Sequence, residues 1–311
     1  MEPNQQYDLV IIGAGPAGMT AGIYAARAGL SVVMLEKGAP GGQMLNTAEI
    51  DNYTGFETIL GPDLSMKMFE HTQKHGVAYA YGNVTKVTDH GTYKLVYTDS
   101  NEIYQTKAVI IASGAKNKRL GVPGEDELAG RGISWCAVCD GAFFRNQDVV
   151  VVGGGNSAVE EALYLANIVN KVTIIHRRQQ FRADQAAVNR AKAHPKIVFE
   201  LDAVVERFNE ENGKLKSVTV KNVVTGKTKE LIAQGAFIYI GLLPVSDFVK
   251  GLVDMDEYGY IIVNEKMETS VPGIFAAGDV IQKELRQIVT ATNDGAIAAQ
   301  SAYKYIEALG K

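Results

Sequence analysis

Cysteine is nearly absent from this chain: two in 311 residues, Cys136 and Cys139. A secreted scaffold held by disulfides carries more of them, dispersed along the sequence. A zinc centre needs two further ligands, and the five histidines form no suitably spaced pair nearby. Basic excess is missing too. The net charge is −4, which argues against nucleic acid as a partner. One stretch, Leu9 to Ala26, runs 18 residues without a charge, the threshold for a membrane span. Yet it holds Gly13, Gly15, Pro16, Gly18 and Gly22, which suit a tight turn better than a lipid-facing helix. The residues ahead of Tyr7 include Glu2 and no Lys or Arg, so the positive region of a signal peptide is lacking. The expectation is a soluble, cytoplasmic protein with no membrane segment. What is abundant is glycine, 32 residues, about a tenth of the chain against a usual share of roughly 7%. Hydrophobic residues make up 46% and charged ones 21%, enough to bury a large core, and the length suggests about two domains.

The chain repeats itself. Asp8-Leu9-Val10-Ile11-Ile12-Gly13-Ala14-Gly15-Pro16-Ala17-Gly18 aligns without gaps with Asp148-Val149-Val150-Val151-Val152-Gly153-Gly154-Gly155-Asn156-Ser157-Ala158, at a constant offset of 148 − 8 = 140. Each copy is a β-branched run, a glycine turn and an Ala-rich stretch with helical spacing. Each closes on a second apolar run, Val32 to Leu35 and Val172 to Ile175. That is a βαβ unit, whose crossover is right-handed in nearly all proteins. Alternating strands follow at Val84 to Val87, Tyr93 to Tyr97 and Ser217 to Val220. Each half ends on an apolar strand reaching glycine, at Gly114 and at Gly241. After Pro244 come a strand signal at Tyr260 to Val263, the run Ile274 to Asp279, and an Ala-rich helix from Asn293 to Leu309. This tail has no nucleotide turn of its own, so it is expected to complete the first domain. The fold class expected is α/β. Two Rossmann-like three-layer domains, 1–116 with 246–311 and 117–245, each carry a parallel sheet with an antiparallel appendage, and the second is inserted in the first.

A lone GxGxxG is weak, but here it follows a strand, opens a helix and has an acid at the end of the second strand. Gly13 permits the tight turn, Gly15 lets backbone approach a pyrophosphate, and Gly18 lets helix and strand pack closely. Glu36 lies 36 − 13 = 23 positions on, suited to accept ribose hydroxyls. The second copy keeps the turn but replaces the acid. At 153 + 23 = 176 stand His176, Arg177 and Arg178, with Arg182 beyond. A carboxylate there would repel a 2′-phosphate, whereas arginine binds it bidentately. The second site is therefore expected to prefer NADPH. Two such sites imply two cofactors passing hydride in sequence, and the acid-bearing first site suits the adenosine of FAD.

Cys136-Ala137-Val138-Cys139 sits just before the second unit, followed by Asp140. A close pair in a cytosolic protein reads first as a redox dithiol, with a thiol pKa often depressed to about 7. Asp140 is placed to exchange a proton with the departing thiolate.

The sequence resembles the low-molecular-weight, bacterial-type thioredoxin reductases of the pyridine nucleotide-disulfide oxidoreductase family. The resemblance spans the Gly13 to Gly18 turn, Gly41-Gly42-Gln43, Cys136 to Asp140, Gly153 to Ala158, His176-Arg177-Arg178 with Phe181-Arg182-Ala183, and Gly278-Asp279 followed by Arg286-Gln287. It implies a homodimer with FAD in the first domain and NADPH in the inserted one, passing electrons to a disulfide and then to thioredoxin. By that resemblance Cys139 lies against the flavin, Cys136 attacks thioredoxin, and Asp140 is the acid. Asn52, Asp279 and Gln287 match positions near the FAD. The expected FAD set is Gly13, Gly15, Pro16, Ala17, Gly18, Glu36, Lys37, Gly42, Gln43, Asn52, Val84, Gly114, Gly278, Asp279, Arg286 and Gln287. The NADPH set is Gly153, Gly155, Asn156, Ser157, Ala158, His176, Arg177, Arg178 and Arg182. No metal is expected. The segment Thr292 to Gly295 departs from the family, where small residues stand. Alternatives are a reductase of ferredoxin, against which the cysteine pair speaks; an oxidase of small dithiols, against which the arginines speak; and a flavin-binding protein without activity.

Overall fold

The computed structural model describes residues 5–47 and 49–310. The chain divides into two compact units, Met1–Lys116 with Leu243–Lys311, and Asn117–Leu242. In chain order the first unit opens with β1 (Gln5–Ile12), α1 (Pro16–Arg27), β2 (Val32–Glu36), the short pair β3 (Glu49–Ile50) and β4 (Ile59–Leu60), and α2 (Gly61–Lys74). Then come β5 (Ala78–Tyr81), β6 (Val84–Asp89), β7 (Lys94–Thr98) and β8 (Ile103–Ile111), and β9 (Ala115–Asn117) leads out. The main sheet runs β5-β2-β1-β8-β7-β6. Its β5, β2, β1 and β8 are parallel, while β6 and β7 add an antiparallel meander.

A parallel sheet is buried on both faces, so its strands read as continuous apolar runs. Leu9, Val10, Ile11 and Ile12 are all buried. Leu9 and Ile11 join a cluster with Ala17, Ala21 and Ala25 of α1. Val10 and Ile12 point to the opposite face and pack with Val33, Leu35, Val87 and Ile261.

The second unit holds β10 (Ile133–Ser134), α3 (Ala137–Asp140), β11 (Asp148–Gly153), α4 (Asn156–Ala166), β12 (Lys171–His176), α5 (Gln185–Ala193) and β13 (Ile197–Leu201). After these follow β14 (Ala203–Glu211), β15 (Lys214–Asn222), β16 (Thr228–Ile232) and β17 (Gly235–Tyr239). A five-stranded sheet runs β10-β17-β11-β12-β13, parallel throughout. The antiparallel β14-β15-β16 forms a separate sheet. Val149 and Val151 face α4 through Ala158, Ala162 and Leu165. Val150 and Val152 face Val205, Phe208 and Val218 of the antiparallel strands. The alternation of valines thus serves two layers at once.

The chain returns through β18 (Leu242–Pro244), which pairs with β9 as a two-stranded ribbon. It closes the first unit with β19 (Ile274–Ala276) and α6 (Ile288–Leu309). β19 adds in parallel to β8 at Val109 to Ile111, so the tail completes the first sheet.

Two local expectations are corrected. Tyr260 to Val263 is not a strand: only Ile261 bridges, to Met255 and Ile281. The Asp256–Gly259 turn before it and the bond from Ile262 N–H to Asp254 O use the backbone locally. The last helix begins at Ile288 rather than Asn293, because Gln287 and Thr290 form a reciprocal cap that satisfies N–H groups at its start. No helix among the described residues is long and apolar enough to cross a membrane.

α6 crosses α1 very closely. A Cβ on Gly295 would stand 2.1 Å from Ala17 O, a backbone atom that cannot yield. Gly295→Ala is therefore expected to destabilise the protein by about 1–3 kcal/mol, the usual cost of overpacking. Urea denaturation followed by far-UV circular dichroism measures it; an unchanged midpoint would contradict the contact.

Candidate active site

The first glycine turn divides its labour. Gly13 has φ +106°, and a Cβ there would lie 2.3 Å from Ala112 O. A Cβ on Gly18 would lie 1.9 Å from Gly13 O. Both glycines are demanded by protein packing. Gly15 is different: a Cβ there meets nothing within 4 Å. Its bareness leaves a cradle at the start of α1, where Pro16 occupies the first helical turn and no side chain caps the N–H groups. Free N–H groups and the helix dipole favour an anion there. A dinucleotide pyrophosphate fits this cradle.

Around it stand the other residues of the first unit. Glu36 Oε2 accepts the Ala14 N–H at 2.9 Å and Oε1 accepts the Gly38 N–H at 3.0 Å. The carboxylate is thus pinned to the turn, in a groove lined by Lys37, Asn83, Val84 and Ser113. Gly42 has φ +58°, and its Cβ would come 3.3 Å from Gly15 Cα. Gln43 Nε2 donates to Ala115 O at 2.7 Å. Gly114 has φ +69° and faces open space. Asn52 Nδ2 donates to Gln287 Oε1 at 3.1 Å, linking the two across 235 positions of sequence. Gly278 (φ +79°) would press a Cβ to 2.9 Å from that of Ala17, so the Gly278–Asp279 turn abuts the start of α1. Burial pushes the Asp279 carboxyl above its ordinary value, Lys283 and Arg286 pull it back, and Asp294 adds to the rise. The guanidinium of Arg286 lies 4.2 Å over the Tyr260 ring, and its buried Nε has no hydrogen-bond partner among the described residues. A buried donor without an acceptor is costly, and an anionic or carbonyl group of a ligand would satisfy it.

The second unit repeats the turn. Gly153 (φ +150°) would drive a Cβ to 2.2 Å from Tyr239 O, while Gly155 again meets nothing within 4 Å. Arg182 N–H donates to Gly154 O at 2.8 Å, and Asp184 N–H donates to Asn156 Oδ1 at 2.7 Å. These two bonds clamp the arginine loop to the turn. Ser157 is exposed, Asn156 is close to it at the helix start, and Ala158 is buried beneath them. Arg177 and Arg178 are exposed, as is Arg182. His176 is not. Its ring packs on Gly154, where a Cβ would lie 2.2 Å from Cε1, and stacks on Phe181 at 4.9 Å. Nε2 donates to Gln180 O at 3.0 Å. Burial lowers its pKa, as do Arg177, Arg182 and Arg178, against that bond. The imidazole is a neutral internal brace, whereas the arginines face solvent. Arg177 and Arg182 line an open cleft of about 310 Å³ with Lys118 and Arg119. Lys118 and Arg119 escaped the sequence reading because they belong to no motif; only their charge marked them.

Cys136 is disulfide-bonded. The side chain of Cys139 lies outside the described residues. Ser134 organises the neighbourhood. Its Oγ donates to Asp140 Oδ2 at 2.6 Å and accepts the Cys136 N–H at 2.9 Å. Tyr239 Oη accepts the Ala137 N–H at 2.7 Å. The backbone donors of Cys136, just ahead of α3, and of Ala137, its first residue, are therefore both held. Tyr239 comes from the end of β17, paired in register with Gly153. One residue thus meets both, the glycine turn through its backbone and the cysteine helix through its side chain. Glu161 lies near: it and Asp140 raise the Tyr239 hydroxyl well above its ordinary value, after burial. Glu161 itself is pushed up to about 7 by burial and by Glu160, and its Oε2 is buried without a hydrogen-bond partner among the described residues. No group of three or more metal-binding side chains occurs among the described residues.

Comparison with known proteins agrees with this architecture. The family model for the pyridine nucleotide-disulphide oxidoreductases matches residues 7–295. The thioredoxin reductase of Bacillus subtilis (strain 168) is 55% identical over 309 residues, 99% of this chain and 98% of the relative. Among solved structures, Lactococcus lactis thioredoxin reductase in its FR conformation superposes with a TM-score of 0.92 at 54% identity, over 97% of this chain and 99% of that one. The thioredoxin reductase of T. acidophilum gives 0.89 at 37% identity, covering 97% and 99%.

Glu161 yields a pH prediction. Its folded pKa of about 7 lies above the ordinary 4.5. The native state therefore holds a proton that the unfolded chain has lost, and stability falls as pH rises from about 4.5 to about 7. Glu161→Gln keeps the volume and removes the titration. Melting temperatures measured from roughly pH 4 to roughly pH 9 should show this variant more stable than the parent above neutrality, with a flatter profile. Parallel profiles would refute the raised carboxyl.

Proposed function

This chain belongs to the pyridine nucleotide-disulphide oxidoreductase family, and from that premise we propose its reaction: NADPH-dependent reduction of the thioredoxin disulfide through FAD and the Cys136/Cys139 pair. The single observation that carries it is the tie between cysteine helix and glycine turn. Tyr239 reaches Ala137 from the strand that flanks Gly153, and Ser134 holds Asp140 beside Cys136. A dithiol with a carboxyl at hand, built onto a basic dinucleotide turn, is what reduction of a disulfide by NADPH requires.

FAD, when bound, supplies the two-electron relay between nicotinamide and disulfide. For it the first unit offers the open Gly15 cradle, Glu36 toward ribose, and the Gly278–Asp279 turn with Arg286 and Gln287. Lys37, Gly42, Gln43, Asn52, Val84 and Gly114 complete the surround. In the second unit the Gly155 cradle takes the NADPH pyrophosphate, and Arg177, Arg178 and Arg182 take the 2′-phosphate. His176 acts there by bracing the turn.

The dithiol steps balance as thiol chemistry. In the reduced pair the Cys136 thiolate attacks one sulfur of the thioredoxin disulfide. A mixed disulfide forms, and the thioredoxin thiolate that departs takes a proton from Asp140. The Cys139 thiol then gives its proton to the Asp140 carboxylate and attacks Cys136 Sγ as the thiolate; the second thioredoxin sulfur leaves and takes a proton from solvent, and the Cys136–Cys139 disulfide is restored. Asp140 fits the role of acid because Ser134 Oγ fixes its orientation. The protein works as a homodimer in the cytoplasm.

Two experiments test this. Arg177→Ala with Arg178→Ala should weaken NADPH by about 10- to 100-fold, the worth of a charge-assisted phosphate bond, and leave NADH nearly unchanged. Equal losses for both nucleotides would sink the assignment. Cys139→Ser should abolish turnover with thioredoxin and accumulate a stable mixed disulfide, since nothing resolves it. Cys136→Ser should abolish turnover and trap little. Flavin bleaching by NADPH should survive in both. Trapping by Cys136→Ser alone would reverse the two roles.

A further inference from the structure

A largely buried ion pair stands beside the Gly278–Asp279 turn, with its carboxylate in the Thr292 to Gly295 segment where the sequence departs from the resembled family. Asp294 lies in the second turn of α6 with its side chain 7% exposed, and Lys283 is 13% exposed. Lys283 Nζ reaches Asp294 Oδ2 at 2.5 Å. The same oxygen accepts the Gly278 N–H at 3.1 Å. One carboxylate thus holds the backbone that presents Asp279 and the cation that follows it by four residues.

The neighbouring packing gives this clasp leverage. Gly278 abuts Ala17 Cβ, and Gly295, next to Asp294, abuts Ala17 O. Asp294 therefore sits where α6, the Gly278 turn and the start of α1 converge. Taking two charges out of water is expensive, and an apolar pair of similar size would fill such a space at least as stably. A packing role alone does not call for charge here.

We propose that Lys283 and Asp294 are positioning residues for the bound flavin dinucleotide: they lock the Gly278–Asp279 turn against α1 and balance the charge around Asp279, so that its carboxylate stays available as an acceptor. This rests on the FAD reading of the first unit. The charges agree with it. Asp279 is raised by burial and by Asp294, and lowered by Lys283 and Arg286; Lys283 therefore serves two carboxylates, and losing it would favour the protonated form of Asp279.

The test titrates FAD into protein stripped of flavin, following fluorescence quenching, for the parent, Lys283→Met, Asp294→Asn and the double variant. Each single change strands a buried charge and should weaken FAD by about tenfold or more, within the cost of breaking a buried pair. The double variant strands none, and the amide oxygen that Asp294→Asn leaves in place still accepts the Gly278 N–H; its FAD affinity should return to within about threefold of the parent. In Lys283→Met the FAD affinity should also improve as pH rises, beyond any change in the parent, because Asp279 ionises later. Thermal melting of the flavin-free proteins separates a merely structural role, which would lower melting temperature and leave FAD affinity and its pH profile unmoved. That outcome, or a double variant as weak as the singles, overturns the proposal while the parent still binds FAD. If the parent itself binds no FAD, the FAD reading falls and this inference falls with it.

Discussion

The structure depends on one steric constraint: the carbonyl of the first turn glycine must lie against the start of the helix that follows. With Gly18 at that place the approach is closer than any side chain tolerates. The consequence is directional. Strand β1 and helix α1 are forced into a tight turn, so the first helical N–H groups point out of the carboxyl end of the sheet. The second unit meets the same constraint with Ala158, whose Cβ would be 2.9 Å from one on Gly153. Alanine is admitted there, where Gly153 has φ 150° against 106° for Gly13. In both copies a Cβ on the middle glycine would meet nothing within 4 Å. A residue that packing does not need, between two that it does, is the mark of a place kept for a ligand.

What grows from the two turns differs because the second-strand end differs. Glu36 answers the N–H groups of Ala14 and Gly38 and gives the first cradle a fixed negative edge. His176 occupies the corresponding place in the second unit and turns inward onto Gly154. It closes the turn without charge, and the arginines that flank it are left to solvent. A carboxylate in that setting would neutralise them; a buried neutral imidazole does not. The same frame therefore carries opposite electrostatics, set by one position and its sequence neighbours.

The repeated βαβ pattern was legible in the sequence because a sheet buried on both faces needs unbroken apolar runs, and Leu9 to Ile12 and Val149 to Val152 supply them. The glycine turns were legible because their spacing is dictated by sterics rather than by chemistry. The start of α6 was not, since Gln287 and Thr290 cap each other through side chains that carry no apolar period. Nor was Ile261, whose apolar run imitates a strand while its backbone bonds are local. Within the site, the arginines and cysteines announce themselves by type. Ser134, Tyr239, Lys283 and Asp294 do not, because each acts through a partner that only the fold brings close. Tyr239 reaches Ala137 across 102 positions, a pairing fixed only once β17 lies beside β11. Asp294 signalled only that it differed from small residues expected there.

Local order near the cysteines follows from the same logic of distant partners. Helix α3 spans only Ala137–Asp140, too short to be stable alone, since helix nucleation is unfavourable. The donors at its head are satisfied by side chains, that of Cys136 just ahead of it by Ser134 and that of Ala137 by Tyr239. Such a helix gains its order from its anchors, and those anchors are the side chains that also meet Asp140 and stand beside Gly153. Gly141 adds the last restraint: a Cβ there would lie 2.9 Å from Leu165 Cδ2, so the chain leaving α3 rests directly on α4. Leu165 is one turn beyond Glu161 on the same face, which places that raised carboxyl on the surface of α4 that the cysteine segment covers. The two carboxyls that act on the Tyr239 hydroxyl, Asp140 and Glu161, thus come from the two elements pressed together by this contact, one within the motif and one beneath it.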